Sequence, residues 1–128
     1  MGVKKVFIVE DDPDSFESLK KLLLVYGFEV DGVLTIKDDF LKHLKTFEPH
    51  IILLDMLMPG IGGLEVCQML NADEQTQGIP ILVVSAIGNP SDMKKAFALG
   101  VEDYVTKPYD IATLVGKINR YIGYKQNP

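Results

Sequence analysis

The sequence predicts one α/β domain, a doubly wound parallel sheet with helices on both faces, on three observations. Short apolar runs alternate with amphipathic segments along the whole length. The central runs are apolar at consecutive positions, as a strand covered on both faces requires. Several of them end abruptly in an acid, a hydroxyl or a lysine. The 128 residues, 47% of them apolar, suffice for a single core, and the whole chain, 1–128, is expected to form it. No apolar stretch approaches the ~20 residues that cross a bilayer. The start Met-Gly-Val-Lys-Lys-Val lacks the apolar segment of a signal peptide, so a cytoplasmic, membrane-free location is expected. A net charge of −5 repels a nucleic-acid duplex, which argues against nucleic acid as a partner of this domain. The lone Cys67 permits no internal disulfide and has no Cys or His neighbours at zinc-ligand spacing.

The first run, Val6 to Val9, reads as a central strand and ends in Glu10, Asp11 and Asp12. Pro13 suits a first helical turn, Asp12 or Asp14 can cap it, and Phe16, Leu19, Leu22, Leu23 and Tyr26 recur at helical steps until Gly27 stops them. Residues 29–34 are mixed in polarity, as an edge strand should be. Thr35 and Asp38 resemble a cap before Phe40, Leu41 and Leu44, and Pro49 closes that helix. Ile51 to Leu54 is the clearest buried strand and runs into Asp55. A loop rich in Pro and Gly follows, with Met58, Pro59, Gly60, Gly62 and Gly63, and then a helix from about Leu64 to Leu70. Ile81 to Val84 ends in Ser85. Met93, Ala96, Phe97 and Leu99 supply the face of a fourth helix ended by Gly100. Tyr104 and Val105 belong to a fifth strand ending at Lys107 and Pro108, and Asp110 caps a last helix carrying Ile111, Leu114, Val115, Ile118, Tyr121 and Ile122.

In a parallel sheet the carboxyl ends of the strands share one edge, and open α/β sheets bind ligands there. Glu10 and Asp11, Asp55, Ser85 and Lys107 are therefore expected to converge. Any one of them alone reads better as an ordinary polar loop residue; together they do not. Three carboxylates within a few ångströms repel one another, and a hard divalent cation relieves that repulsion. Mg²⁺ takes one or two carboxylates and keeps its other positions for water and phosphate oxygens, so the cluster suits a phosphoryl group. Asp55 is the best-placed nucleophile for an aspartyl phosphate, with Lys107 to neutralise charge and Ser85 to donate a hydrogen bond to a phosphoryl oxygen.

These residues resemble the receiver domains of two-component response regulators, and are similar to the small chemotaxis and cell-cycle regulators that consist of a receiver alone. Val9-Glu10-Asp11-Asp12 resembles the acidic pair, carried over to Glu10 and Asp11. Leu53-Leu54-Asp55-Met56-Leu57-Met58-Pro59-Gly60 resembles the phosphoacceptor loop, Ser85-Ala86 the hydroxyl position and its small neighbour, and Tyr104-Val105-Thr106-Lys107-Pro108 the aromatic switch, the lysine and a cis proline. The resemblance covers nearly the whole chain. It implies a flavodoxin-like (βα)5 fold with strand order 2-1-3-4-5. It implies Mg²⁺ held by Asp11, Asp55 and the Leu57 carbonyl, with Glu10 acting through water. A histidine kinase or phosphotransfer protein would be the donor, and a downstream protein the target. Ser85 and Tyr104 would then change the face made by the fourth helix, fifth strand and last helix, which is also where a phosphorylated pair of chains would associate.

Leu57 and Ile87, each two residues beyond Asp55 or Ser85, depart from the family's common pattern. Neither offers an amide or carboxylate to orient a water, so the acyl phosphate is expected to be long-lived, as a slow output or a phosphorelay would need. Gly62, where relatives often carry Asp, is a third departure. A phosphatase working through an aspartyl phosphate would carry an acid where Leu57 stands, and a flavin site would not tolerate three acids facing the phosphate. The polar stretch 124–128 is also compatible with a receiver cut from a longer transcription factor or hybrid kinase. His43, His50, Met56 and Met58 read as packing or surface residues.

Overall fold

The computed structural model describes residues 2–56, 62–86 and 90–122. Five strands and five helices alternate: β1 Lys5–Val9, α1 Pro13–Val25, β2 Glu29–Val33, α2 Phe40–Phe47, β3 Ile51–Leu54, α3 Gly63–Ala72, β4 Ile81–Ser85, α4 Pro90–Ala98, β5 Asp103–Thr106 and α5 Ile111–Tyr121. The strands are all parallel and ordered β2-β1-β3-β4-β5.

The alternation of side chains along each strand divides the core in two. Phe7, Val9, Ile52, Leu54, Ile81 and Val83 meet Phe40, Leu44, Val66, Cys67, Leu70 and Ala96 of α2, α3 and α4. Val6, Ile8, Ile51, Leu53, Leu82 and Val84 meet Leu19 and Leu23 of α1 and Leu114, Val115 and Ile118 of α5 on the other face. The chain leaves β1 toward β2 on the α1 face and returns to β3 on the α2 face. The crevice between the tips of β1 and β3 is therefore the point where the winding reverses, which is where such sheets bind.

Local chemistry explains the boundaries. Asp12 caps α1 by accepting from the Ser15 amide at 3.2 Å, and that bond holds its carboxyl below the usual range. Asp110 caps α5 through the Thr113 amide at 3.1 Å. Gly27 and Gly100, with φ of 91° and 92°, take the left-handed turns that follow α1 and α4.

Four details differ from the sequence reading. Leu22 and Tyr26, counted as inward, are 38% and 48% exposed, and Phe97 of α4 is 44% exposed. Residues 22–26 are apolar without a break, so periodicity cannot choose the buried face, and only Leu23 sits against the sheet. Helix α2 starts one residue after the expected cap: Asp39 is its N-cap and makes no side-chain capping bond. His43 and His50 are structural, as read. His43 pairs with Asp31 at 2.9 Å and sets its ring edge-on to Phe7, while His50 Nδ1 accepts the Lys5 amide at 2.9 Å. No helix among the described residues is long and apolar enough to cross a membrane.

Candidate functional site: an acidic cleft at the carboxyl edge of the sheet

Each strand that borders the crevice delivers a side chain to it. Glu10 follows β1 and is 5% exposed; Asp55 follows β3 and is 8% exposed; Ser85, the last residue of β4, is fully buried. Their positions follow from backbone register. Glu10 N–H donates to Val33 O at 3.2 Å, Asp55 N–H to Val9 O at 3.0 Å, and Lys107 N–H to Ser85 O at 2.9 Å, so each residue is anchored to its neighbouring strand. The residues expected to converge do so: Glu10, Asp11, Asp55, Ser85 and Lys107.

The two Asp55 oxygens have different partners. Ser85 Oγ donates to Oδ1 at 3.0 Å, and Lys107 Nζ donates to Oδ2 at 3.2 Å. Lys107 also donates to Glu10 Oε1, and Glu10 Oε2 accepts the Asp12 amide at 3.3 Å. Burial pushes the Glu10 carboxyl above the ordinary glutamate value; Lys107 opposes this and Asp55 reinforces it. Burial also works against the Lys107 charge, but Glu10 and Asp55 outweigh it and hold the ammonium above the usual lysine value. Glu10, Asp11 and Asp55 each bring one carboxylate oxygen to within 4.8 Å of the others. Asp11, half-buried, has no hydrogen-bond partner among the described residues, which leaves its oxygens available to a cation. An all-oxygen set of this kind suits Mg²⁺.

Tyr104 lies inward, 8% exposed, within the core on the α2–α4 face. Burial raises its hydroxyl above the usual tyrosine range, and a hydrogen bond with Ser85 pulls the other way. A chain of contacts thus runs from Asp55 through Ser85 to the β5 ring. The Lys107-Pro108 bond is cis, as the resemblance implied. Leu57 and Ile87 lie outside the described residues, so the metal-ligand role of the Leu57 carbonyl and the water-excluding role of both side chains remain expectations. A cleft of about 360 Å³ opens beside the acids on the α1 face, and Ser15, Ser18 and Tyr109 line it with Lys107 and Asp55. The sequence reading passed over these three. The position of Tyr109 directly after Lys107-Pro108 was the available signal.

A doubly wound sheet with three acids, a hydroxyl and an ammonium at its winding reversal defines a phosphoacceptor class of protein. The chain belongs to the response regulator receiver domain family, whose model matches residues 6–119. Protein RcaC of Microchaete diplosiphon is 37% identical over 116 residues, which are 91% of this chain and 18% of that protein. The phosphate regulon transcriptional regulatory protein PhoB of Rhizobium meliloti is 32% identical over 89% of this chain and 50% of its own length. The chain thus spans half or less of the length of these curated relatives. A putative response regulator from Chloroflexus aurantiacus superposes with a TM-score of 0.86 at 28% identity, covering 95% of this chain and 99% of that one. The receiver domain of the sensor histidine kinase PA1611 from Pseudomonas aeruginosa, whose structure has a magnesium ion coordinated in its active-site cleft, has the same fold, with a TM-score of 0.81 at 24% identity over 95% and 99% of the chains. The chain is therefore a two-component receiver, a signalling switch with the acidic cluster at which receiver domains bind Mg²⁺.

Proposed function

We propose that this receiver accepts a phosphoryl group on Asp55 from the phosphohistidine of a histidine kinase or phosphotransfer protein in the cytoplasm, and passes the signal to a downstream protein. In that step an Asp55 oxygen forms the new bond to phosphorus, the phosphorus–nitrogen bond of the donor breaks, and the imidazole leaves with the electron pair and takes a proton. The observation that carries this reading is the pair of bonds on Asp55, Ser85 on one oxygen and Lys107 on the other. A hydroxyl and an ammonium already beside the carboxylate can serve the phosphoryl oxygens without further reorganisation. Asp11 and Asp55, the Leu57 carbonyl, and Glu10 through water would hold Mg²⁺. Bound there, the ion would neutralise phosphoryl charge.

The added phosphoryl charge gives Ser85 a new acceptor, and the hydrogen bond between Ser85 and Tyr104 couples that change to β5. The face of α4, β5 and α5 is the surface this coupling reaches, for a downstream partner or for a second phosphorylated copy. The test is incubation with acetyl phosphate and Mg²⁺ followed by intact-mass measurement of the native chain and of Asp55→Ala. The native chain is expected to gain one phosphoryl group and the variant none; equal uptake by both rejects Asp55 as the acceptor. Following the loaded protein tests the Leu57 and Ile87 reading. The phosphoryl group should persist well beyond seconds with Mg²⁺ present, and loss within seconds rejects it.

A further inference from the structure

We propose that Gly63, the first residue of α3, is a positioning residue for the phosphoacceptor. Its missing side chain lets the helix start lie directly against the backbone that carries Asp55. This rests on the reading of Asp55 given above and adds to it a residue that no part of the cleft chemistry names.

Gly63 is buried, and its φ is not in the left-handed region, so no conformational need explains a glycine here. Space does. A Cβ at this position would lie 2.6 Å from Met56 Sδ, 2.7 Å from Met56 Cα and 3.3 Å from Asp55 O. The sulfur ends a flexible side chain and can swing away. The Cα and the carbonyl cannot move unless residues 55 and 56 move with them.

Neither side of this contact has slack. Helix α3 is held by Val66, Cys67 and Leu70, all fully buried, and its first turn is closed by Glu65 accepting the Gly62 amide at 2.5 Å. Asp55 is tied to β1 through its amide at 3.0 Å. Reaching ordinary contact at 3.4 Å would push Met56 Cα by roughly 0.7 Å, next to a carboxylate whose bonds to Ser85 and Lys107 are 3.0 Å and 3.2 Å long. Misplacement of a reacting group by about 1 Å can cost on the order of 100-fold in rate.

The experiment measures phosphorylation by acetyl phosphate with Mg²⁺, by intact mass over time, alongside the thermal midpoint. The proteins are the native chain, Asp55→Ala, Gly63→Ala, and Leu44→Ala as a control that opens a cavity in the α2 side of the core. Gly63→Ala is expected to phosphorylate at least ~10-fold more slowly than the native chain at a temperature where both are folded. Leu44→Ala should lose thermal stability while keeping the native rate. The double variant Gly63→Ala with Met56→Ala removes the sulfur contact and keeps the backbone one. It supplies the second test should the single variant fold poorly, and is expected to regain thermal stability while its rate stays low. A native rate in Gly63→Ala, or recovery of rate together with stability in the double variant, overturns the assignment. A native chain that takes up no phosphoryl group overturns the proposed function itself and this inference with it, so the two failures are distinguishable.

Discussion

Replacing Lys107 with alanine is expected to cost about 3 kcal/mol of folding stability near neutral pH, and to cost less in acid. Lys107 stands between two carboxylates that are 5% and 8% exposed, touching Glu10 Oε1 and lying 3.2 Å from Asp55 Oδ2. Without it, two buried negative charges face each other with Asp11 beside them and no cation among the described side chains to separate them. The ammonium's own partial exposure keeps the figure at the lower end of the range for breaking a buried pair.

The pH dependence has a definite sign. Glu10 has a carboxyl raised by burial, so its ionised form opposes folding at neutral pH, and that cost disappears as pH falls through the raised value. Lys107, raised by its two partners, contributes stability that is fully present at neutral pH and is lost only as pH climbs through its folded value, above the ordinary lysine range. Removing Lys107 deletes the second contribution and enlarges the first. Acid protonates the carboxylates that made the lysine useful, so the gap between native chain and variant should narrow between about pH 7.5 and about pH 5. Mg²⁺ should narrow it too, by bringing positive charge to the same oxygens. Urea unfolding of both proteins at the two pH values checks this; a gap that stays constant or widens in acid contradicts the charge argument.

The convergence of Glu10, Asp55, Ser85 and Lys107 was legible in the sequence because it needs only the order of strands and helices. Parallel strands have a common carboxyl edge, and a buried run ending in a polar residue shows what that edge receives. Which oxygen of Asp55 meets which partner was not legible. That depends on the β4–β5 register, Val83 opposite Tyr104, which apolar patterning does not encode. The buried face of α1 was legible where Phe16, Leu19 and Leu23 repeat, and illegible across residues 22–26, where every position is apolar. Glycines were the hardest to read. Gly27 and Gly100 follow helical patterns and announce a stop. Gly32 and Gly63 serve by leaving room, and the groups that use the room are distant in sequence or turned toward them only in the fold.

Gly32 shows this most sharply, and Gly32→Ala is expected to destabilise the chain by about 3 kcal/mol although it adds a single methyl. Gly32 lies on the edge strand β2 opposite Ile8 of β1. A Cβ there would sit 2.2 Å from Ile8 O and 2.7 Å from Cε2 of Phe16, whose ring packs over the strand from α1. The ring can be displaced, but the carbonyl belongs to the central strand. Ile8 has a buried side chain, and its neighbours Val6 and Val9 pair with Ile51 and Leu54 on the far side. The edge strand must therefore give way, and that disturbs the β1–β2 pairing and the α1 contact together. The thermal midpoint should fall by roughly 10 °C for a domain of this size. Adding Phe16→Ala separates the two obstructions. If the carbonyl dominates, the double variant stays as unstable as Gly32→Ala or becomes worse, because a core ring has been lost as well. If stability returns, the ring was the obstacle, and the close approach of β1 to β2 tolerates a side chain after all.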